Sequence, residues 1–235
     1  MKFIRFFWSV VSVIALTVSL PNKGCAQFIS HFDYEEHSLG WTFSYNNQQM
    51  EYRVGEFSDF GNGLWDNGSK RLHGGGMGFI VNGTFGGGFG LYWGLGMELF
   101  SSSNESSGFG ETIADQYETY MELAFEMPLH LQYKLPIADR IAIGAHVGPG
   151  ITFSCAGSFM DDDGSYDDVN VIGVENGFKM FNLTFDAALF VELGKLRFDI
   201  MWSNGLTDQE RNKDVVDKTL RNKLFFGLTI LFGDD

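Results

Sequence analysis

Strict alternation of apolar and polar residues is the feature that most constrains the fold of this chain. In Met121–Leu135 every odd position is apolar or aromatic, and the even positions carry charged, polar, small or proline residues. Successive side chains of a β-strand point to opposite faces, so a period of two sends all the apolar residues to one side of a sheet. A helix would distribute the same residues around its axis. We therefore predict a long β-strand here.

Seven further segments have the same period. After Gly194-Lys195 the apolar residues move from odd to even positions, as a two-residue hairpin turn requires, because Leu193 and Leu196 then face each other. The alternation predicts eight strands in an all-β chain. The segments are Leu39–Tyr45, Met77–Phe85, Phe89–Leu99, Met121–Leu135, Arg140–Phe153, Met180–Leu193, Leu196–Trp202 and Leu224–Phe232.

The two faces of these strands differ in a way that indicates a membrane. Ordinary strands have about 5 to 6 residues, whereas a membrane-crossing strand needs about 9 to 11, and most of these segments reach that length. One face is bulky and apolar, and the other carries both charge signs, which fits the lumen of a small closed barrel with its apolar face toward lipid. The candidate lumen residues are Glu98, Glu122, Glu126, His130, Lys134, Arg140, His146, Asp186, Glu192, Arg197, Asp199 and Lys223.

Connection lengths give independent support, because long and short linkers alternate. Outer-membrane barrels have short periplasmic turns and long extracellular loops, and closure satisfies every backbone hydrogen bond in hydrocarbon. The predicted fold is an all-β, eight-stranded antiparallel up-and-down transmembrane β-barrel with short periplasmic turns and long extracellular loops. The predicted long linkers are 46–76, 101–116, 155–177 and 206–220, and the short ones are 86–88, 136–139 and 194–195.

Three segments carry more specific motifs: the Glu-x-Pro-Leu strand within Tyr120–Tyr133, the strand Ile143–Gly150, and the hairpin Phe190–Asp199. Together they resemble the eight-stranded outer-membrane barrels of the PorT-like, OmpA-like group, over about residues 38 to 233. The resemblance implies the fold but no single function, because such families range from structural anchors to secretion accessories. These barrels often end on an aromatic residue, whereas here Gly233–Asp235 follow Phe232, which we expect the insertion machinery to use.

The N-terminus has the pattern of a secretory signal peptide. Lys2 and Arg5 precede the mostly apolar stretch Phe6–Leu20, and Gly24–Ala26 supplies small residues before a cleavage site at Gln27. The stretch is shorter than the roughly 20 apolar residues of a spanning helix. A lipid-modified cysteine at position 25 is the alternative.

These features predict the domain organisation and the compartment. We expect a signal peptide at 1–26, a periplasmic N-terminal segment at 27–37 and an outer-membrane barrel domain at 38–235, located in the outer membrane of a Gram-negative bacterium after cleavage near Ala26-Gln27. Cleavage leaves Cys155 as the only thiol, so no intramolecular disulfide is expected. The net charge of −14 argues against a nucleic-acid partner.

The sequence offers little for catalysis or metal binding. His31, His37 and His73 lie outside the predicted strands, and no serine, histidine and acid spacing indicates a nucleophile system. The acidic segment Asp161–Asp168 could bind Ca²⁺, but it lacks the spacing of a helix-flanked calcium loop, and a solvated loop is the simpler interpretation. We therefore predict no catalytic residue, no metal and no cofactor.

The lumen charges have two interpretations. They form either a salt-bridge network that plugs the barrel, because buried charges need partners, or the gate of a narrow pore. We predict a monomeric, non-enzymatic barrel with a plugged polar lumen and a structural or interaction role in the cell envelope. Its partners would be outer-membrane lipid and, through the extracellular loops, envelope or secretion proteins. The alternatives are a narrow porin-like channel for small solutes and an accessory barrel in protein secretion.

Aromatic residues near the predicted strand ends are candidates for the girdles that border the lipid-facing band. They are Tyr45, Phe85, Phe100, Tyr133, Phe153, Trp202 and Phe232.

Overall fold

The computed structural model describes residues 36–54, 68–102, 119–160, 172–173, 178–209, 211 and 216–232. Three predicted features lie outside these ranges and stay predictions: the signal peptide, its cleavage position and the acidic segment Asp161–Asp168. Among the described residues, no helix is long and apolar enough to cross a bilayer. The strands are β1 (Glu36–Val54), β2 (Gly68–Gly86), β3 (Phe89–Ser102), β4 (Thr119–Ala138), β5 (Ile141–Met160), β6 (Phe181–Leu193), β7 (Leu196–Gly205) and β8 (Val216–Phe232).

The eight strands form one closed antiparallel sheet. Each strand pairs with the next one in the chain, and β1 also pairs with β8, from Leu39↔Phe232 to Val54↔Val216. The predicted eight-stranded antiparallel up-and-down barrel is therefore confirmed. Closure leaves no sheet edge along the barrel wall, which is where an open antiparallel sheet would present unpaired backbone groups.

Three short turns join strands at one end of the barrel. They are Gly87-Gly88, Asp139-Arg140 and Gly194-Lys195. Both Gly87 and Gly88 have positive φ, at 60° and 84°, as a two-residue type I′ hairpin turn requires. The predicted strand start at Arg140 is wrong by one residue, because Arg140 is an exposed turn residue and β5 begins only at Ile141. The alternation continues by chance through that turn.

Several strands are longer than predicted at the opposite end. β1 continues to Val54 and β2 begins at Gly68, so much of the predicted loop 46–76 is paired strand. The outward side chains in this extension include Asn47, Gln49 and His73, and polar residues on both faces remove the contrast that the prediction depended on. His37 and His73, which we predicted outside the strands, lie in β1 and β2.

Large apolar side chains are exposed on the outer face of all eight strands, and examples include Phe43, Met77, Leu129 and Phe226. The alternation is clearest in β6, where exposed and buried positions follow one another almost without exception. Phe100 is the exception among the predicted girdle residues: it is only 1% exposed and lies in the lumen, because the outward residue at that level is Leu99.

Candidate functional site

The polar lumen is the candidate functional site. Ten of the predicted lumen residues are buried, and Lys134, whose side chain is 22% exposed, lies nearer the short-turn end. The long strands bring these residues together because every second side chain points inward. The ten are Glu98, Glu122, Glu126, His130, His146, Asp186, Glu192, Arg197, Asp199 and Lys223.

Arg197 is the centre of the network near the short-turn end. Its Nε donates to Asp199 Oδ1 and Oδ2 at 3.0 and 3.1 Å, and its Nη1 donates to Glu192 Oε1 and Gln132 Oε1, each at 3.3 Å. Its guanidinium carbon also lies 3.7 Å from the centroid of the Phe190 ring. A planar guanidinium can stack on an aromatic ring while it binds two carboxylates. A lysine ammonium is not planar and could not stack in this way.

Two histidines connect opposite parts of this network. His130 Nε2 lies 3.0 Å from Asp186 Oδ2, and His146 Nε2 lies 3.1 Å from Asp199 Oδ1. Their Nδ1 atoms are 2.8 Å apart. A continuous hydrogen-bonded chain therefore runs from β6 through β4 and β5 to β7.

The network ends at a wide cavity of about 1010 Å³ at the short-turn end. Lys134 Nζ and Glu192 Oε2 are 2.9 Å apart at its inner limit, and Asn82 Nδ2 donates to Glu192 Oε1 at 3.2 Å. Arg140 and Lys195 belong to the lining of this cavity. The structure thus places Arg140 at the mouth, away from the buried network.

A second network lies farther from the short turns, around Lys223. The Lys223 Nζ donates to Glu98 Oε1 and Oε2, each at 3.1 Å, and to Glu126 Oε2 at 2.6 Å. Asn46 Nδ2 donates to Glu98 Oε1 at 2.7 Å. One ammonium group therefore joins carboxylates from β3 and β4 across the lumen.

The long-loop end of the lumen is closed by both polar and apolar contacts. Arg221 Nη1 and Ser154 Oγ both donate to Glu122 Oε1, and the Arg221 guanidinium carbon is 5.3 Å from the Phe178 ring centroid. An apolar cluster packs with Phe178 at this level. It consists of Met50, Leu72, Phe100 and Ala124.

The sequence prediction missed several members of these networks. Arg221 lies two residues before Lys223 and has the same parity, so extending the alternation of the last segment towards the N-terminus would have found it. The neutral partners gave no signal, because an amide or aromatic residue at an inward position is compatible with many folds. They are Asn46, Asn82, Tyr92 and Phe190.

These contacts fill the lumen with charges of opposite sign that touch one another, although single atoms such as Glu126 Oε1 and Asp186 Oδ1 have no hydrogen-bond partner among the described residues. Buried charges are tolerated where partners and hydrogen bonds surround them. Within the described ranges, no group of three or more His, Cys, Asp or Glu side chains is arranged to hold a metal ion. The geometry suits a structural plug that ties non-adjacent strands together.

Comparisons with known proteins find similarity in structure only. No family model matches the chain, and no curated protein matches it. Among solved structures, Neisserial surface protein A has a TM-score of 0.48 at 8% identity, covering 84% of this chain and 100% of that one. Ail of Yersinia pestis, in complex with the heparin analogue sucrose octasulfate, has a TM-score of 0.39 at 11% identity, covering 84% and 99%.

A third solved structure covers more of the chain. The translocator domain of the autotransporter NalP from Neisseria meningitidis has a TM-score of 0.34 at 7% identity, covering 93% of this chain and 97% of that one. At such identities the likeness concerns the fold alone, and the barrel described above rests on its own strand pairing.

Proposed function

We propose that this chain is a non-enzymatic β-barrel protein of a Gram-negative outer membrane, with a plugged lumen and a structural or interaction role in the cell envelope. The observation that carries the proposal is the inverted distribution of residues. Large apolar side chains are exposed on the outside of all eight strands, whereas the charged residues of the strand centres are buried inside. Monomeric soluble proteins rarely expose contiguous apolar patches larger than a few hundred Å².

The height of the apolar band supports a bilayer. Phe89 and Tyr133 pair near the short turns with ring centroids 5.0 Å apart, and Phe153 and Phe181 pair near the other end at 4.9 Å. Phe153 is in register with Phe125, so the two aromatic levels are eight residues apart along β4. That is about 27 Å along the strand, or about 21 Å after a tilt of about 40°, close to the apolar band of about 25 Å in outer-membrane barrels.

The gel mobility of the folded protein tests whether it is a membrane β-barrel. We expect the barrel, purified in detergent, to migrate differently in unheated and boiled samples, because the closed sheet resists unfolding by detergent alone. The same preparation should need detergent to remain in solution. A folded chain that stays monodisperse in detergent-free buffer would contradict the membrane assignment.

The plugged lumen predicts that the barrel does not conduct ions. The Arg197 and Lys223 networks and the apolar cluster around Phe100 fill the lumen at successive levels, and the wide cavity lies at the short-turn end. We expect no conductance steps from barrels inserted into planar bilayers at neutral pH, with insertion verified separately by flotation with lipid vesicles. Regular steps that scale with the amount of inserted protein would instead favour the narrow porin-like channel.

The orientation, oligomeric state and family are further parts of the proposal. An even number of strands puts both termini at the same end, which in this class is periplasmic together with the short turns. We propose a monomer of the PorT-like, OmpA-like group whose long connections face outward and meet envelope or secretion proteins. Protease added to intact cells should then cut within the connections 55–67 or 103–118 and leave the short turns intact. Cleavage confined to a short turn would reverse the orientation.

A further inference from the structure

We propose that His130 and His146 form a binding site for a single excess proton, shared between their Nδ1 atoms. The inference goes beyond the proposed function, and its evidence is the hydrogen-bond geometry inside the lumen. Both imidazoles are buried, at 0% and 2% exposure. A proton held there is shielded from water and becomes part of the plug.

The hydrogen bonds determine the number of protons on the two rings. Each Nε2 faces a carboxylate oxygen, of Asp186 at 3.0 Å or of Asp199 at 3.1 Å. A carboxylate accepts hydrogen bonds, so each Nε2 carries a hydrogen. Asp199 also accepts from Arg197 Nε through both of its oxygens, which favours its ionised form.

The contact between the rings then requires one more hydrogen. The Nδ1 atoms are 2.8 Å apart, whereas the ring centroids are 4.9 Å apart with planes differing by 20°, so the rings meet through these nitrogens and not face to face. A hydrogen bond at this distance needs one donor and one acceptor. Three N–H hydrogens on two imidazoles give the pair one positive charge.

The surroundings of the pair favour that charge. The carboxylates of this network are Asp186, Glu192 and Asp199, and the fixed cations are Lys134 and Arg197, so one positive charge on the pair balances the group. The other charged groups towards the pair are Glu98 on β3, Glu126 on β4 and Lys223 on β8, whose ammonium binds both carboxylates.

An aromatic face covers the pair as well. The Tyr92 ring centroid lies 4.4 Å from that of His146 and 5.6 Å from that of His130, with planes inclined by 22° and 14°. A ring face attracts a cation over a distance of up to about 6 Å. Tyr92 on β3 therefore stabilises a positive charge on the pair, as it does the charge of Arg197, whose guanidinium carbon lies 4.9 Å from the same ring centroid.

The shared proton has a mechanical role. It completes the link Asp186–His130–His146–Asp199, which joins β6, β4, β5 and β7 across the lumen. A second proton would place two N–H donors opposite each other, so the rings would separate and the link would break. Acid should therefore loosen the plug at this level.

The test is ¹⁵N NMR of the full chain labelled at histidine and folded in detergent micelles. At pH 7 we expect three N–H hydrogens on the pair, as the two Nε2–carboxylate contacts and the Nδ1–Nδ1 contact require, and a scalar coupling between the two Nδ1 nitrogens. Two hydrogens, or no coupling, would overturn the proposal. The number of N–H hydrogens and the coupling do not depend on which membrane holds the barrel. A failure of the shared-proton proposal is therefore distinguishable from a failure of the proposed function.

Two variants and a titration complete the experiment. His130→Asn should leave His146 neutral with a single N–H hydrogen. The control is His73→Gln, because His73 lies on the outer wall, where its Nδ1 is 2.8 Å from the Tyr45 hydroxyl oxygen. This control variant should leave the coupling between His130 and His146 unchanged. On acidification, the coupling should disappear in the same step that adds a fourth hydrogen. A coupling that survives the fourth hydrogen would overturn the proposal. If His130→Asn does not fold, the spectrum of the unmodified chain still decides.

Discussion

Replacing Arg197 with methionine is expected to destabilise the barrel by about 3 to 5 kcal/mol, the usual penalty for removing one partner of a buried ion pair. Arg197 is completely buried and donates two hydrogen bonds to Asp199 and one to Glu192. Methionine fills a similar volume but leaves both carboxylates without that cation. The penalty arises mainly at Asp199, which loses its fixed cation, whereas Glu192 keeps Lys134. A partial rescue by Arg197→Lys is also expected, because lysine keeps the charge and loses the planar fork.

Urea unfolding of the barrel in lipid vesicles, followed by tryptophan fluorescence, measures this effect. The matched control is Lys195→Met, which makes the same kind of change two residues away in an exposed turn. That variant should change the free energy of unfolding by no more than about 0.5 kcal/mol. Equal stability of the two methionine variants would show that the buried network does not hold the barrel together.

Leu129→Arg is the second large prediction, with an expected destabilisation of about 2 to 4 kcal/mol in a bilayer. Leu129 is 51% exposed on the outer wall and lies midway between Phe125 and Tyr133, the two aromatic levels of β4. A charge at that height would lie near the bilayer midplane, where no water solvates it. The same substitution in a soluble barrel would have little effect.

Ile137→Arg is the control for depth. Ile137 is 59% exposed in β4, but it lies beyond Tyr133, at the irregularity between Pro136 and Ala138 next to the turn at Asp139. Arginine near the interface should destabilise the barrel by only about 0 to 1 kcal/mol. Unfolding of both variants in vesicles of one lipid composition gives the comparison, and equal values would contradict the predicted band.

The sequence predicted the wall of the barrel well because one physical rule governs it. In β4, every outward residue from Phe125 to Leu135 was assigned by parity, since lipid-facing positions demand apolar side chains and lumen positions do not. The rule fails where that contrast ends. Arg140 continues the alternation but lies in a turn, and Asn47 and Gln49 belong to a strand whose outer face is polar.

The pairing inside the lumen was beyond the reach of the sequence. Lys223 binds Glu98, which is 125 positions away, and this contact depends on the closure of β1 against β8 and on the register of every strand between them. Parity places both residues inside but does not set their heights. The same limit applies to His130 and His146, whose nitrogens meet only because β4 and β5 hold the two rings at one level.

The unequal strand lengths give the long-loop rim an uneven height. β1 extends nine residues beyond Tyr45, and β5 extends seven residues beyond Phe153, whereas β6 begins at Phe181 itself. At about 3.3 Å per residue, the paired ends of β1 with β2 and of β4 with β5 extend beyond the aromatic border, whereas β6 begins and β7 ends close to it. The connection from β1 to β2 therefore begins and ends farther from the apolar band than the end of β7 does.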